Sequence, residues 1–177
     1  MRNNGTVNEQ AKHRALRLYE QACQKNWWTT VRSLFDSGAQ RLLHMEEFRA
    51  ACTVVSDRHA GVESASIAHI RGSVNEGRTY DFDADFRPLK RHNRERWLRL
   101  AEACQRGVRI PPVKLIKIGE IYFVQDGHHR ISVHRAMGLT EIQADVTVWQ
   151  TSGPLPWQEQ PSASMSPARR LSWSHSG

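Results

Sequence analysis

The residues best suited to chemistry stand together in one turn, Asp126-Gly127-His128-His129-Arg130, between a short apolar run and a helical pattern. A glycine lets the backbone turn tightly and lets a ligand come close to it. The residues after it open a predicted helix, and the free N–H groups of a helix N-terminus favour anions. Two imidazoles and a guanidinium add donors for phosphate oxygens. The turn is therefore predicted to bind phosphate through residues 127–130.

The charged side chains of this turn are expected to have different roles. Arg130 is the strongest candidate for a phosphate contact, because its fixed charge and forked donors suit phosphate. Asp126 has two interpretations of equal weight. It holds a Mg²⁺ or accepts a proton from a substrate hydroxyl, or it caps the helix or orients Arg130. Glu120 is a second candidate base. Zinc at the two histidines is disfavoured, since no third ligand is evident.

Apolar patterns predict the elements that position the turn. Strands are expected over residues 113–118, 121–125 and 142–149, and Gly119-Glu120 suits a hairpin between the first two. The helix after the turn is predicted over residues 131–137. A small α+β domain with a mixed sheet and packed helices follows from this order of elements.

The rest of the chain is predicted to be mostly helical or irregular. Helices are expected over residues 8–25, 27–37, 40–52 and 88–105, a connector over 57–66, a short strand over 67–70 and a glycine-containing loop over 71–80. The predicted organisation is a helical N-terminal segment over 1–63, the binding domain over 64–150 and a disordered tail, rich in Ser, Pro, Gln and Gly, over 151–177.

The composition is that of a soluble globular protein. The 177 residues are 39% hydrophobic and 24% charged, with a net charge of +7 that permits nucleotide or nucleic acid binding without requiring it. No apolar run reaches the roughly 18 residues of a membrane span. The first residues do not resemble a signal peptide. A cytoplasmic protein without a membrane partner is expected, and its three cysteines are predicted to be inert.

Two further sets of charged residues are weaker candidates for a functional site. A helical face with basic residues at four- and three-residue spacing is usually solvated, although it could contact a nucleic acid backbone; its members are Arg87, Arg91 and Arg94. Three aspartates at alternate positions lack the other features of a calcium loop, so a structural role is predicted; they are Asp81, Asp83 and Asp85.

Residues 127–132 and 138–146 resemble the glycine-acid-arginine-arginine helix of ParB N-terminal domains and the strand that follows it. Sulfiredoxins share that fold and carry a glycine-cysteine-histidine-arginine turn. Residues 110–113 resemble the proline-then-strand entry of the fold, and residues 75–78 with 81–83 faintly resemble its asparagine-to-arginine box. The resemblance covers residues 64–150.

The resemblance implies a ParB/sulfiredoxin-like domain that binds nucleotide phosphates at the glycine turn. The nucleotide would be CTP, as in ParB, or ATP, as in sulfiredoxins, with Mg²⁺ as the expected companion ion. Arg78 and Arg71 are candidates for reaching over the nucleotide, since ParB-like proteins use the corresponding loop in that way. Free-serine kinases of archaea also resemble this scaffold, so the fold does not select one chemistry.

The departures from the family pattern limit the function. His128 stands where sulfiredoxins have their catalytic cysteine, so sulfiredoxin activity is excluded. His128 and His129 replace the glutamate and arginine of ParB, and Ser132 replaces a later arginine. No segment resembling the helix-turn-helix or dimerisation domain of ParB follows residue 150, so a stand-alone domain is expected.

The leading prediction is a nucleoside triphosphate binding protein that acts as a regulatory or DNA-associated module. The alternative is a phosphotransferase, kinase, nucleoside triphosphatase or other phosphohydrolase, with Asp126 or Glu120 activating a hydroxyl or water. A nuclease is a less favoured interpretation, and a scaffold with a vestigial pocket is a fourth. The identity of the base and the oligomeric state stay open.

Overall fold

The apolar runs on either side of Gly119-Glu120 form the centre of a six-stranded mixed sheet. In this computed structural model the described residues are 4–33, 42–153, 155 and 157. The helices are α1 (Asn4–Ser33), α2 (Met45–Ala51), α3 (Glu76–Thr79), α4 (Arg94–Gln105) and α5 (His128–Ala136). The strands are β1 (Leu43–His44), β2 (Thr53–Ser66), β3 (Ile70–Ser73), β4 (Val113–Ile118), β5 (Ile121–Asp126) and β6 (Glu141–Ser152).

The sheet has the order β1-β3-β5-β4-β6-β2. The β4–β5 and β2–β6 pairs are antiparallel, whereas the β1–β3, β3–β5 and β4–β6 pairs are parallel. The predicted α+β class with a mixed sheet and packed helices is therefore confirmed. The hairpin predicted at Gly119-Glu120 is also confirmed, as β4 and β5.

Alternating side chains of the central strands bury both faces of the sheet. On one face, Leu115 and Val124 pack with Ile131 of α5 and with Phe82 and Phe86 of a loop. A further layer forms where α1 and α4 pack on α5. Trp97 of α4 is fully buried in this layer. The helices thus hold the start of α5 against the sheet.

The opposite face is covered by α2 and by residues near the end of the chain. The Trp157 ring lies 5.9 Å from the Phe48 ring and 5.7 Å from the Phe123 ring, and Leu155 is buried beside them. The predicted disordered tail from residue 151 is therefore wrong at its start, because β6 continues to Ser152 and two apolar side chains pack beyond it. Residues 158–177 lie outside the described part.

The N-terminal third contains strands where none was predicted. The predicted connector over residues 57–66 is part of β2, and the predicted helix over 40–52 is a short strand followed by α2. The segment predicted to be helical over 1–63 thus contributes two strands to the sheet. The two helices predicted over 8–25 and 27–37 form one helix up to Ser33, and residues 34–37 are not described.

Smaller boundary corrections concern the region before β4. The helix predicted from residue 88 begins at Arg94, because Pro88 forms a β-bridge with Phe82 and cannot belong to the helix. The strand predicted over 67–70 is a 3₁₀ turn, Ile67–His69, followed by β3. The predicted loop over 71–80 includes most of β3 and the short helix α3. No helix among the described residues is long and apolar enough to cross a membrane.

Candidate functional site

Gly127 joins β5 to α5 in a conformation that a side chain would disturb. Its φ is +113°, in the left-handed region that favours glycine. A Cβ at this position would lie 2.5 Å from Cγ1 and 2.8 Å from Cβ of Val113, which is fully buried. The backbone of the turn therefore packs directly on β4. The predicted strand-glycine-helix arrangement is confirmed, with α5 starting at His128 rather than at residue 131.

The turn opens onto a cavity of about 780 Å³, here called the basic cavity. Five cationic side chains and one carboxylate line it, together with the first residues of α5 and an apolar wall. The cations are Arg78, Arg96, Arg99, Lys114 and Arg130, and the carboxylate is Asp126. The residues at the start of α5 are Gly127, which precedes the helix, and His128 and His129. The apolar wall consists of Leu100, Ala103, Ile110, Pro111 and Pro112.

Three of the cations face the cavity without a carboxylate partner. Arg96 and Arg99 come from α4 and Lys114 from β4, and all three are exposed. Within residues 4–33 and 42–153 no Asp or Glu forms an ion pair with any of them. Arg78 donates to Asp81 at 3.2 Å, but Lys90 and His92 lie within 3.7 Å of the same carboxylate. The cavity therefore has a surplus of positive charge.

His129 presents an unsatisfied nitrogen at this site. Its residue surface is only 6% exposed, and its ring packs edge-on against Phe82 at 5.1 Å. The buried Nε2 has no hydrogen-bond partner among the described residues. A buried polar atom left unpaired is costly, by about 1–3 kcal/mol. Because this nitrogen is itself shielded from solvent, a ligand oxygen in the basic cavity can pair with it only if the His129 ring turns towards the cavity.

The His128 side chain is buried and contacts residues of the core. Its Nε2 lies 2.8 Å from Oγ of Ser73, and its ring stacks on Phe82 at 5.9 Å. The Ser73 hydroxyl also lies 3.0 Å from the Asn75 carbonyl, and the donor in the His128–Ser73 pair depends on the histidine tautomer. The imidazole thus ties α5 to β3. The sequence placed both histidines in the phosphate-binding group; in the structure the His128 side chain has a protein partner instead.

Arg130 and Asp126 also contact each other and the protein backbone. The Arg130 guanidinium donates to the carbonyls of Pro111 and Pro112, at 3.0 and 2.6 Å, and to the Asp126 carboxylate. This corresponds to the interpretation in which Asp126 orients Arg130. Three N–H groups of the guanidinium are engaged in this way, which attaches the turn to the segment that enters β4. The phosphate contact predicted for Arg130 stays a prediction.

Burial keeps both histidines neutral at physiological pH. Desolvation, assisted by Arg78 and by His129, lowers the pKa of His128 to about 4. Desolvation, assisted by Arg96 and Arg78, also lowers the pKa of His129 to about 4. Both side chains therefore act as neutral hydrogen-bonding groups, and the positive charge of the cavity comes from arginine and lysine.

These pKa values predict a loss of stability in mild acid. A histidine whose folded pKa lies below its unfolded value of about 6.5 contributes its full stabilisation above that pH. The contribution is lost as the pH falls from about 6.5 to 4, because the unfolded chain takes up protons first. We expect thermal unfolding curves between pH 7 and 4.5 to show a falling midpoint, and His129→Gln to flatten that dependence.

The matched control for this experiment is His13→Gln, which changes an exposed histidine on α1. This variant should keep the full pH dependence of the wild-type chain. An unchanged slope in His129→Gln would show that this histidine ionises normally in the folded protein. A slope equally flattened by His13→Gln would assign the effect to overall charge.

The remaining predicted site residues do not come together with the turn. Glu120 lies at the opposite end of β5 from Asp126, roughly 20 Å away at about 3.4 Å per residue, and it does not line the basic cavity. Arg87 pairs with Asp83 and Asp85. The predicted nucleic acid contacts at Arg87, Arg91 and Arg94 are therefore separate from the basic cavity, and the Arg94 guanidinium lies over the Tyr19 ring.

Asp83 and Asp85 form hydrogen bonds and ion pairs that stabilise the loop in which they lie. Asp83 Oδ1 accepts the N–H groups of Asp85 and Arg87, at 2.9 and 2.8 Å, and Asp85 pairs with Arg135 of α5. Desolvation raises the pKa of Asp83. Among the described residues no three His, Cys, Asp or Glu side chains form a metal-binding group. This arrangement agrees with the structural role predicted for the three aspartates.

The cations that the sequence did not single out are Arg96, Arg99 and Lys114. Arg96, Arg99, Leu100 and Ala103 recur at three- and four-residue spacing, which places them on one face of α4. That signal was available in the sequence. Nothing local indicated that this face meets the turn after β5, because the contact joins residues about 30 positions apart.

No protein family model matches the chain, and no curated protein matches it. Among solved structures, the chain is similar to the crystal structure of sulfiredoxin from Arabidopsis thaliana. The TM-score is 0.36 and the sequence identity 18%, over 48% of this chain and 82% of that chain. A likeness of this degree indicates nothing about chemistry, because one fold hosts many activities.

Proposed function

We propose that this chain binds a nucleoside triphosphate in the basic cavity. The phosphates contact the N-terminus of α5, His129 and the unpaired cations, and the base lies against the apolar wall. The observation that carries this proposal is the position of Arg96, Arg99 and Lys114, three cations without carboxylate partners among the described residues, at one cavity that also contains a helix N-terminus. Like charges held close together repel each other, and a polyanion relieves that repulsion.

The apolar wall favours a nucleotide over inorganic phosphate. Leu100 and Ala103 of α4 line the cavity together with Ile110, Pro111 and Pro112. Small-molecule sites combine such apolar lining with a few polar groups that fix orientation. A flat base can cover this wall while its phosphates reach the cations. The wall offers no base-specific donor or acceptor side chain, so CTP and ATP are both candidates.

Mg²⁺ does not fit a site built by the protein alone. Asp126 is the one carboxylate among the described residues that lines the cavity, and it already accepts a hydrogen bond from Arg130. The other charged groups there are cations, which repel a divalent metal ion. Mg²⁺ would enter with the nucleotide, coordinated by phosphate oxygens with at most Asp126 from the protein. Binding is accordingly expected to persist in the presence of a chelator.

The same geometry favours a binding module over an enzyme. A phosphotransferase or phosphohydrolase needs a base within reach of the attacking hydroxyl or water. Asp126 is engaged by Arg130, Glu120 lies at the far end of β5, and the neutral His129 has a low proton affinity. The binding of a regulatory nucleotide is the function that these groups can perform. A nucleic acid backbone at Arg91 is a weaker proposal.

Isothermal titration calorimetry of the full chain with CTP, ATP, cytidine and adenosine tests the proposal. We expect binding of at least one triphosphate and at least about tenfold weaker binding of its nucleoside, because the nucleoside lacks the charge-assisted contacts. Titrations with EDTA and with Mg²⁺ should give affinities of the same order. Equal affinity for a triphosphate and its nucleoside, or no heat with any of the four, would contradict it.

A further inference from the structure

The edge strand β2 is long and open. It spans Thr53–Ser66, pairs with β6 along its length, and has no neighbouring strand on its other side within the described part of the chain. Its outward N–H and C=O groups therefore form a row without a strand partner. Among its fourteen residues only Ala65 is buried, and both faces of the strand meet solvent along most of its length.

A strand exposed in this way gains little from its own fold. Two-stranded ribbons with both faces in water are marginally stable, and natural edge strands are usually short or covered. On β2 three valines are exposed, Val54 by 37%, Val55 by 67% and Val62 by 61%. These apolar side chains beside an open edge are typical of a surface that pairs with another strand.

The charges on β2 are arranged symmetrically about Gly61. Arg58 faces Val148 and Glu63 faces Ala144 on β6, so both charged side chains lie on the same face of the sheet. The ladder with β6 shifts at two places, between Val54 and Ser56 and between His59 and Gly61, which leaves Val55 and Ala60 as bulge residues. Gly61 itself has a φ of +89°, outside the extended range. Counted along the ladder without the bulge residues, Arg58 and Glu63 are equally distant from Gly61. Neither has an ion-pair partner in the described part of the chain.

We propose that β2 pairs antiparallel with β2 of a second copy of this chain, about a two-fold axis at Gly61. In this register each Arg58 lies opposite Glu63 of the partner subunit, and each His59 lies opposite Val62 of the partner subunit. The overlap extends from Val54 to Ser66, nearly the whole strand. The two six-stranded sheets become one continuous sheet, and the small residues Ala60 and Gly61 lie at the axis, where the backbones approach each other.

Other positions of the two-fold axis along β2 do not place Arg58 opposite Glu63 of the partner subunit. A two-fold axis at His59 places Arg58 opposite Gly61, and an axis at Val62 places Arg58 opposite Ala65. In both registers the two opposite charges have no ionic partner. Cross-strand pairs of opposite charge stabilise antiparallel strands, and directly opposed like charges destabilise them. The sequence of β2 therefore selects one isologous arrangement.

Sedimentation equilibrium of the full chain over a range of concentrations tests this interface. We expect a monomer–dimer equilibrium, and Arg58→Glu should raise the dimer dissociation constant by at least about tenfold, because each symmetric pair becomes a pair of glutamates. The double variant Arg58→Glu/Glu63→Arg restores opposite charges and should recover most of the affinity. Arg17→Glu, an equal charge change on the exposed side of α1, should leave it unchanged.

Three outcomes would overturn the proposal. These are a wild-type chain that stays monomeric, a dimer that Arg58→Glu leaves intact, and a charge-swapped variant as weak as the single variant. Circular dichroism of each variant shows whether the fold is retained, and a variant that unfolds is replaced by Arg58→Ala/Glu63→Ala, which should also weaken the dimer. Nucleotide binding does not enter this test, because β2 does not line the basic cavity.

Discussion

Gly127→Ala is expected to lower the free energy of unfolding by about 3–4 kcal/mol. The alanine must adopt φ near +113°, and its Cβ would lie 2.5 Å from a methyl group of the buried Val113. Strain in the backbone and overpacking against β4 add together at this residue. Thermal unfolding should show a midpoint lower by roughly 10 °C for a chain of this size.

Gly138→Ala is the matched control for this prediction. Gly138 also has a positive φ, +76°, at the end of α5, but a Cβ there would meet no atom within 4 Å. The substitution should therefore cost only the backbone strain, about 1–2 kcal/mol. Equal losses in the two variants would mean that the contact with Val113 is unimportant, and would contradict the close packing of the turn on β4.

Arg96→Ala/Arg99→Ala is expected to weaken triphosphate binding by about a hundredfold or more, since each charge-assisted contact contributes roughly 1.5–3 kcal/mol. Both side chains are exposed and lack a carboxylate partner among the described residues, so the stability of the free protein should change by less than about 0.5 kcal/mol. Calorimetry gives the change in affinity, and thermal unfolding without ligand gives the change in stability.

Arg106→Ala provides the comparison for the double variant. Arg106 follows α4, is exposed, and does not line the basic cavity. Its replacement removes one positive charge from the same region while leaving the proposed contacts intact, so affinity should fall by less than about threefold. If Arg106→Ala weakened binding as much as the double variant, the effect would be one of general charge, and the proposed contacts would be wrong.

The turn could be predicted from the sequence because its signals are local. An apolar run, a glycine and a basic helix start follow one another directly, and Gly119-Glu120 fixes the hairpin before them. The role of Arg130 could not be predicted in this way. Its partners are the backbone carbonyls of Pro111 and Pro112, and only the packing of the turn on the entry to β4 brings them within reach.

The edge strand β2 could not be predicted from the sequence, for a related reason. Strands are recognised by the alternation of buried and exposed residues, and β2 is exposed on both faces, so its sequence has no such alternation. Only its pairing with β6 makes it a strand. The neutral state of His128 was likewise unpredictable, since it depends on burial beside Phe82 and on the contact with Ser73.

The central claim is that phosphates bind where α5 begins. Heteronuclear NMR of the ¹⁵N-labelled chain, titrated with CTP or ATP, tests this directly. The largest shifts are predicted at the amides of residues 127–130, with side-chain shifts at Arg96, Arg99 and His129, and the cytidine or adenosine control should leave the amides at 127–130 nearly unchanged. A titration that moves none of these signals, or that moves only signals of residues outside the basic cavity, would contradict the proposed site.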